Sequence, residues 1–293
     1  MADNSGMALI RGIDIDKLAK GFADEEFIFK QFLTNTSTSA REIRWYQKTA
    51  GTLDSTDTTG MTTSRIANVS QLSMPEVVEQ SWTRQTSYVR KYFVESPWIS
   101  YEDIRDSDPD ILATNVRDLT RAVAAQVDTR IFNVVTENLS PSNINTSAAV
   151  GTGWDDTTNG NPVLDLLSGS RAIRTYSYDI SNLVVLMHPN EYMNLLNYII
   201  TVKGSSIPAF ASQKVENGVL MTIVGQRIVV SNNVTSGNVV QLVPQKAATW
   251  KSFMPITAQN KEEVGIGVKI RVWEEGEALL TDPRAVHLIT GCA

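Results

Sequence analysis

The sequence predicts an α+β fold in one large or two modest domains, and three observations carry that prediction. The first is a long helical stripe from Asp108 to about Asn138. The second is a period-two run from Trp82 to Phe93, rich in Trp, Tyr, Thr and Val. The third is a C-terminal half in which helical patterns at 162–176 and 190–200 are interleaved with short apolar strand runs. Periods of 3.6 and 2 cannot both hold in one segment, so the chain must mix helices and strands.

The totals exclude some functions. A chain of 293 residues, 42% apolar and 20% charged, is long enough and apolar enough to fold. A net charge of −6 excludes a basic nucleic-acid binder, so any nucleic-acid contact is local or weak. Cys292 is the single cysteine, so no intrachain disulfide forms. The N-terminus lacks a basic start before an apolar run, so no secretory signal is expected. The apolar runs are too short to cross a bilayer.

Taken in order, residues 1–40 read as an arm. Two short helical patterns lie at 15–22 and 25–33. The second aligns Phe29, Phe32 and Leu33 on a face that must be buried, in its own subunit or against a neighbour. Residues 34–39 and 49–64 are rich in Thr, Ser, Gly and Asp, and bury little. Between them Ile43-Arg44-Trp45-Tyr46 suits a strand. In the run from Trp82 to Phe93 neither face is purely apolar. The simplest reading is a two-stranded excursion, leaving near residue 41 and returning near residue 94. A lone ribbon is marginally stable. Trp45, Trp82, Tyr88 and Tyr92, with Phe29 and Phe32, are therefore candidate contacts to another subunit. A surface hairpin in a monomer is the alternative.

Ser100 followed by Asp103 is a capping box for a short helical turn. The long helix follows, with Leu112, Val116, Leu119, Val123, Val127, Ile131 and Val134 or Val135 along one stripe. Asp108 serves as N-cap, Pro109 as first helical residue, and Asp110 suits the helix dipole. At about 1.5 Å per residue the helix spans roughly 45 Å. Ser140-Pro141-Ser142-Asn143 stops it. Residues 139–162 read as a loop, then a helix runs to Tyr176 with Val163, Leu166, Leu167 and Ile173 inward. Residues 182–187 form a continuous apolar run and read as a buried strand. Asn190 caps the next helix, with Tyr192, Leu195, Leu196 and Ile199 inward. Strands are expected at 222–224, 226–231, 239–243, 247–253 and 263–273, with a final one ending near Ile289.

This order of parts resembles a known family. The residues that carry it are Val127-Asp128-Thr129-Arg130-Ile131-Phe132 in the long helix and the strand-His188-Pro189-Asn190 step. Gly225-Gln226-Arg227-Ile228-Val229-Val230-Ser231-Asn232-Asn233-Val234 follows, and Thr281-Asp282-Pro283-Arg284-Ala285-Val286 precedes the last strand. Together they resemble the major capsid proteins of tailed double-stranded DNA phages and their relatives, the Hong Kong 97-type fold. The segment 93–132 is similar to the encapsulins as well. The resemblance covers nearly the whole chain, through order and segment character and without a rigid signature motif.

It implies an N-terminal arm at 1–40, an E-loop at 41–94, and a P-domain with its spine helix at 95–138. An A-domain at 139–243 and returning P-domain strands at 244–293 complete it. It implies a structural protein, not an enzyme, that self-assembles through pentamers and hexamers into an icosahedral virion shell around double-stranded DNA. Assembly in the host cytoplasm, and separate portal and decoration proteins as partners, belong to the same expectation. Many members carry a helical scaffolding segment ahead of the arm. Here the arm begins almost at Met1, so scaffolding is expected as a separate protein or not at all. Some members join subunits by a Lys–Asn bond. Lys48 and Asn260 have the right types, but neither spacing nor context singles them out. An encapsulin-type nanocompartment shell is the alternative reading.

The chemistry-bearing motifs are sparse. His188 and His287 are the two histidines, each at a strand end or inside a strand. There is no His-Glu-x-x-His, paired Cys-x-x-Cys, Gly-x-Ser-x-Gly or phosphate-binding Gly-rich loop. Gly265-Ile266-Gly267 sits in a strand pattern and lacks the third glycine. The run from Asp106 to Asp110 imitates a calcium loop, but Ile111 and Arg117 stand where it needs Gly and Glu. No cofactor or metal is expected, and an enzyme of mixed α/β fold has no catalytic set to support it. Arg117 and Arg121 share a helix face. They are either a solvated face paired with Asp110, Asp118 or Asp128, or part of an inner surface toward packaged DNA. Arg171 and Arg174 pose the same choice.

Overall fold

The computed structural model describes residues 19, 28–50, 68, 70–74, 81–106, 111–156, 158–202 and 222–293. Most of the helix expected at 15–22, the first three residues of the one at 25–33, and the Asp108-Pro109-Asp110 cap lie outside them.

The strands are β1 (Thr34–Ser37), β2 (Glu42–Ala50), β3 (Ser81–Tyr88), β4 (Arg90–Glu95), β5 (Ile99–Ser100), β6 (Asn145–Ala148) and β7 (Val184–Met187). They continue with β8 (Thr222–Ile223), β9 (Gln226–Val230), β10 (Asn238–Leu242), β11 (Thr249–Glu263), β12 (Gly267–Leu279) and β13 (Val286–Thr290). The helices are α1 (Tyr101–Asp106), α2 (Ile111–Val135), α3 (Pro162–Thr175) and α4 (Pro189–Asn197). The mixture of helices and sheets is the α+β class read from the sequence.

Helix α2 is the long stripe. Its buried side is Val116, Thr120, Val123, Ala124, Val127, Asp128, Ile131, Phe132 and Val135, recurring every three or four residues. Thr120 fits there because its hydroxyl donates to Val116 O one turn back, at 2.7 Å. The helix lies on β12 and β4.

Those strands belong to a sheet ordered β1-β11-β12-β4, with β5 also on β12. Its centre is the antiparallel hairpin of β11 and β12, paired from Thr249↔Leu279 to Glu263↔Gly267. Bulges between Ser252 and Thr257 bracket Pro255, which has no N–H to give the ladder. The tip corrects one expectation. Gly265-Ile266 forms the turn and not a strand, with Ile266 N donating to Glu263 O at 3.1 Å. Gly265 takes φ +79°, which a glycine reaches without steric cost.

The second sheet runs β6-β13-β10-β7-β9-β8. Strand β7 is buried on both faces. Leu186 and Val184 join the core under α2, while Val185 and Met187 join a second core with Leu166 of α3 and Leu195 of α4. This explains its unbroken apolar run. Strand β13 lies between β10 and β6, where Val286, Leu288 and Ile289 are covered on both faces. Strand β6 sits within the segment read as a loop.

Three helix details differ from the sequence reading. His188, not Asn190, caps α4, and its Nδ1 accepts from Asn190 N at 3.3 Å. Leu167 is exposed on α3. Asp165 is buried in its place, accepting from Trp154 Nε1 at 2.7 Å and Val150 N at 3.1 Å.

Candidate assembly surface

The excursion is real but shorter than read. Strands β2 and β3 pair antiparallel from Glu42↔Tyr88 to Ala50↔Ser81. At Val89 the period-two run changes partner, and β4 leaves the ribbon to pair with β12. Period alone could not show this, since both pairings have the same alternation.

Pairing places Ile43, Trp45 and Gln47 with Gln85 and Ser87 on one face of the ribbon. That face is seated on the subunit. Ile43 and Gln47 are buried, and Trp45 packs on the main core. Gln47 Nε2 donates to Leu280 O at 3.2 Å, and Lys48 N to Thr281 O at 3.4 Å. Trp45 Nε1 donates to Ser87 Oγ at 3.0 Å. The opposite face carries Tyr46, Trp82 and Tyr88, which are 59%, 52% and 66% exposed. Among them stand Glu42, Arg44, Lys48 and Arg84, with Arg44 Nε 2.9 Å from Glu42 Oε1. Large aromatics beside charges are what a partly polar protein interface uses.

The six aromatics singled out as inter-subunit candidates therefore separate. Trp82 and Tyr88 stand open in the subunit. Phe29 and Phe32 do not: both are buried in the core of their own chain. Trp45 belongs to the ribbon's seat. Tyr92 lies in β4, packed on the main core, and burial pushes its phenol up from the usual range. Tyr46 was missed, because it sits in a short strand whose outer face only pairing reveals.

The arm's end is tied down by a residue read as an arginine partner. Asp128, buried in α2, accepts from Ile28 N at 3.1 Å and Phe29 N at 3.3 Å. Burial pushes its carboxyl up to about 7, against the opposing pull of those two N–H groups and of Lys30. Lys30 itself pairs with Glu274 on β12. Glu274, Glu275 and Glu277 are three buried carboxylates in one strand, and each has a cation partner. The signal was present as Glu274-Glu275-Gly276-Glu277 in an otherwise apolar segment, where acids stay charged only if cations come to them.

Arg117 is exposed, with Nε 3.6 Å from Asp118 Oδ1. Arg121 lines a cleft of about 280 Å³ with Ile28, Ala124, Pro189, Ser231 and Asn232. Lys48 faces Trp82 across the ribbon, and Asn260 on β11 donates from Nδ2 to Glu262 Oε1 at 2.8 Å. Among the described residues, no group of three or more His, Cys, Asp or Glu side chains could hold a metal ion. No described helix is long and apolar enough to cross a membrane.

Comparison with known proteins places this architecture. A family model described as phage capsid protein matches residues 98–289. The chain belongs to that phage capsid protein family, and its fold is the α+β Hong Kong 97-type fold. Among solved structures, the capsid of the cyanophage P-SCSP1u is similar at 12% identity and TM-score 0.65, covering 90% of this chain and 88% of that one. A virus-like particle from Pyrococcus furiosus is similar at 13% identity and TM-score 0.61, over 94% and 98% of the two chains. A phage-related protein from Bordetella bronchiseptica RB50 is similar at 14% identity and TM-score 0.58, over 96% and 97%. No curated protein matches the chain by sequence.

Proposed function

We propose that this chain is the repeating subunit of an icosahedral shell around double-stranded DNA, built through pentamers and hexamers. Family membership makes it a capsid shell protein. The observation that carries the finer reading is the ribbon, with one face seated on its own body and the other presenting Tyr46, Trp82 and Tyr88 outward. A neighbouring copy is the partner that covers those aromatics. On this reading residues 42–88 are the E-loop, α2 is the spine helix of the P-domain, and the β6–β13 sheet with α3 and α4 is the A-domain. The role is structural: many similar contacts accumulate by mass action, and no catalytic step is needed. Arg117 and Arg121 are the candidates for an inner wall, acting through charge on phosphates without reading sequence. Portal, decoration and scaffolding proteins are further partners of the same reading.

The likeness to a virus-like particle over nearly the whole of both chains favours a second reading, a nanocompartment shell without a genome. Electron microscopy of the purified protein, with particle mass and nucleic-acid content, tests both. Uniform closed shells containing DNA support the first, and shells containing protein cargo support the second. A protein that stays a 32.3 kDa monomer under all assembly conditions overturns both.

A further inference from the structure

The ribbon must leave the body at a defined angle if its outer face is to meet anything. Its base is narrow. Val89 N donates to Arg41 O at 2.9 Å, closing the two legs onto each other. Directly beyond that closure, one residue of β12 takes a side chain from either side of the base, one just before β2 and one at the start of β4. Arg41, the residue before β2, places Nη2 3.1 Å from Glu275 Oε2. Lys91, in β4 and opposite Glu275 in register, places Nζ 3.7 Å from Oε1. The carboxylate is 7% exposed while its two cations are 67% and 52% exposed. A buried charge without a cation is strongly unfavourable, and a buried carboxylate is screened less by salt than a surface one.

The neighbouring side chains support the same seat. Arg41 also lies 4.8 Å over the Phe253 ring, and Lys91 lies 5.2 Å over Phe93 and 5.7 Å over Trp273. Glu277, two residues on, joins Arg90 of β4 at 3.0 Å to Arg130 of α2 at 2.7 Å. The second carboxylate thus fixes the start of β4 to the long helix, while the first gathers the two legs.

We propose that Glu275 is the pivot of the ribbon: it clasps both legs through Arg41 and Lys91 and sets the ribbon's angle to the body. Removing the clasp leaves the body folded and widens the range of angles that the ribbon takes on its seat.

The test uses the full chain as the unassembled subunit, with spin labels at Thr86→Cys on the ribbon and Thr114→Cys on α2. Both positions are exposed, and Cys292 is buried away from the label. The parent should give one narrow distance distribution. Glu275→Gln should broaden it at least twofold with the far-UV circular dichroism unchanged. Arg41→Gln with Lys91→Gln alters only exposed side chains and should broaden it as much. Arg44→Gln, which breaks only the Glu42 pair within the ribbon, should leave it narrow. A narrow distribution in the double variant overturns the proposal, and so does equal broadening in Arg44→Gln. The readout is on the subunit, so it stands or falls independently of whether shells form.

Discussion

Helix α2 and the β2–β3 ribbon are both long, regular elements, and they are completed differently. Helix α2 finds its partners in its own chain: the stripe from Val116 to Val135 is buried against β12 and β4. The ribbon finds half of its partners there. Ile43 and Gln47 are buried, but Tyr46, Trp82 and Tyr88 face outward. The lesson is about where free energy is spent. An element closed within the subunit determines whether the subunit folds. An element half closed contributes to folding with one face and leaves the other for association, whose aromatic anchors dominate binding when buried at an interface.

The strongest way to break this contrast is Val123→Asp. Val123 is buried in the middle of the stripe. An unpaired carboxylate there should cost several kcal/mol, a large share of a domain's stability. Insoluble or unfolded subunits by circular dichroism are the expected result. Normal folding with failure only at assembly would place the stripe against another subunit and reverse the comparison.

Next comes the inner face of the ribbon. Ile43→Ala should cost about 2 kcal/mol, at the low end for truncating a buried isoleucine, read from the urea midpoint. A value near zero would show that the ribbon does not rest on the body. Gln47 and Leu280 also bear on a cruder experiment. Deleting 44–88 removes the seat as well as the outward face, so that variant should lose subunit stability together with assembly.

Asp128 gives the comparison a pH dimension. Its folded carboxyl titrates near 7, above the ordinary 3.8, so the folded state holds a proton that the unfolded state has released between those values. The contribution of Asp128 to stability should therefore be fully present below about pH 4, fall as pH rises toward 7, and level off above it. In Asp128→Asn the slope over that window should flatten, measured as urea midpoints at pH 5, 6 and 8. An unchanged slope would assign the pH dependence to other groups.

The smallest effects are expected outside. Trp82→Ala, Tyr88→Ala and Thr114→Asp should each shift subunit stability by about 0.5 kcal/mol or less, as exposed substitutions do. The two ribbon variants should nevertheless lose particles in sedimentation. If Trp82→Ala and Tyr88→Ala both assemble normally, the outer face is not the contact proposed here.

Much of the architecture follows from local rules in the sequence. The 3.6 period of α2, the apolar run of β7, and the Trp/Tyr/Thr alternation of the ribbon each state their element, because burial on one face or two imposes that spacing. Asp128 is held by backbone N–H groups and not by an arginine, and beyond the β2–β3 ribbon the partner of each strand is not legible in the sequence. Nothing local says that the alternation from Trp82 to Phe93 belongs to two sheets, or that β13 joins β10 and β6. Nothing local says that Phe29 turns inward while Tyr46 turns outward. Alternation along a strand fixes which residues share a face, whereas pairing and docking fix what each face meets. The buried Asp128 and Glu275 show the same limit in charge: a carboxylate reads as solvated until the fold brings an N–H or a cation from far along the chain. The sequence by itself determined the elements, their order and the capsid resemblance. The tertiary structure alone decided which surfaces are spent on the subunit and which remain open, because burial is a property of distant residues brought together.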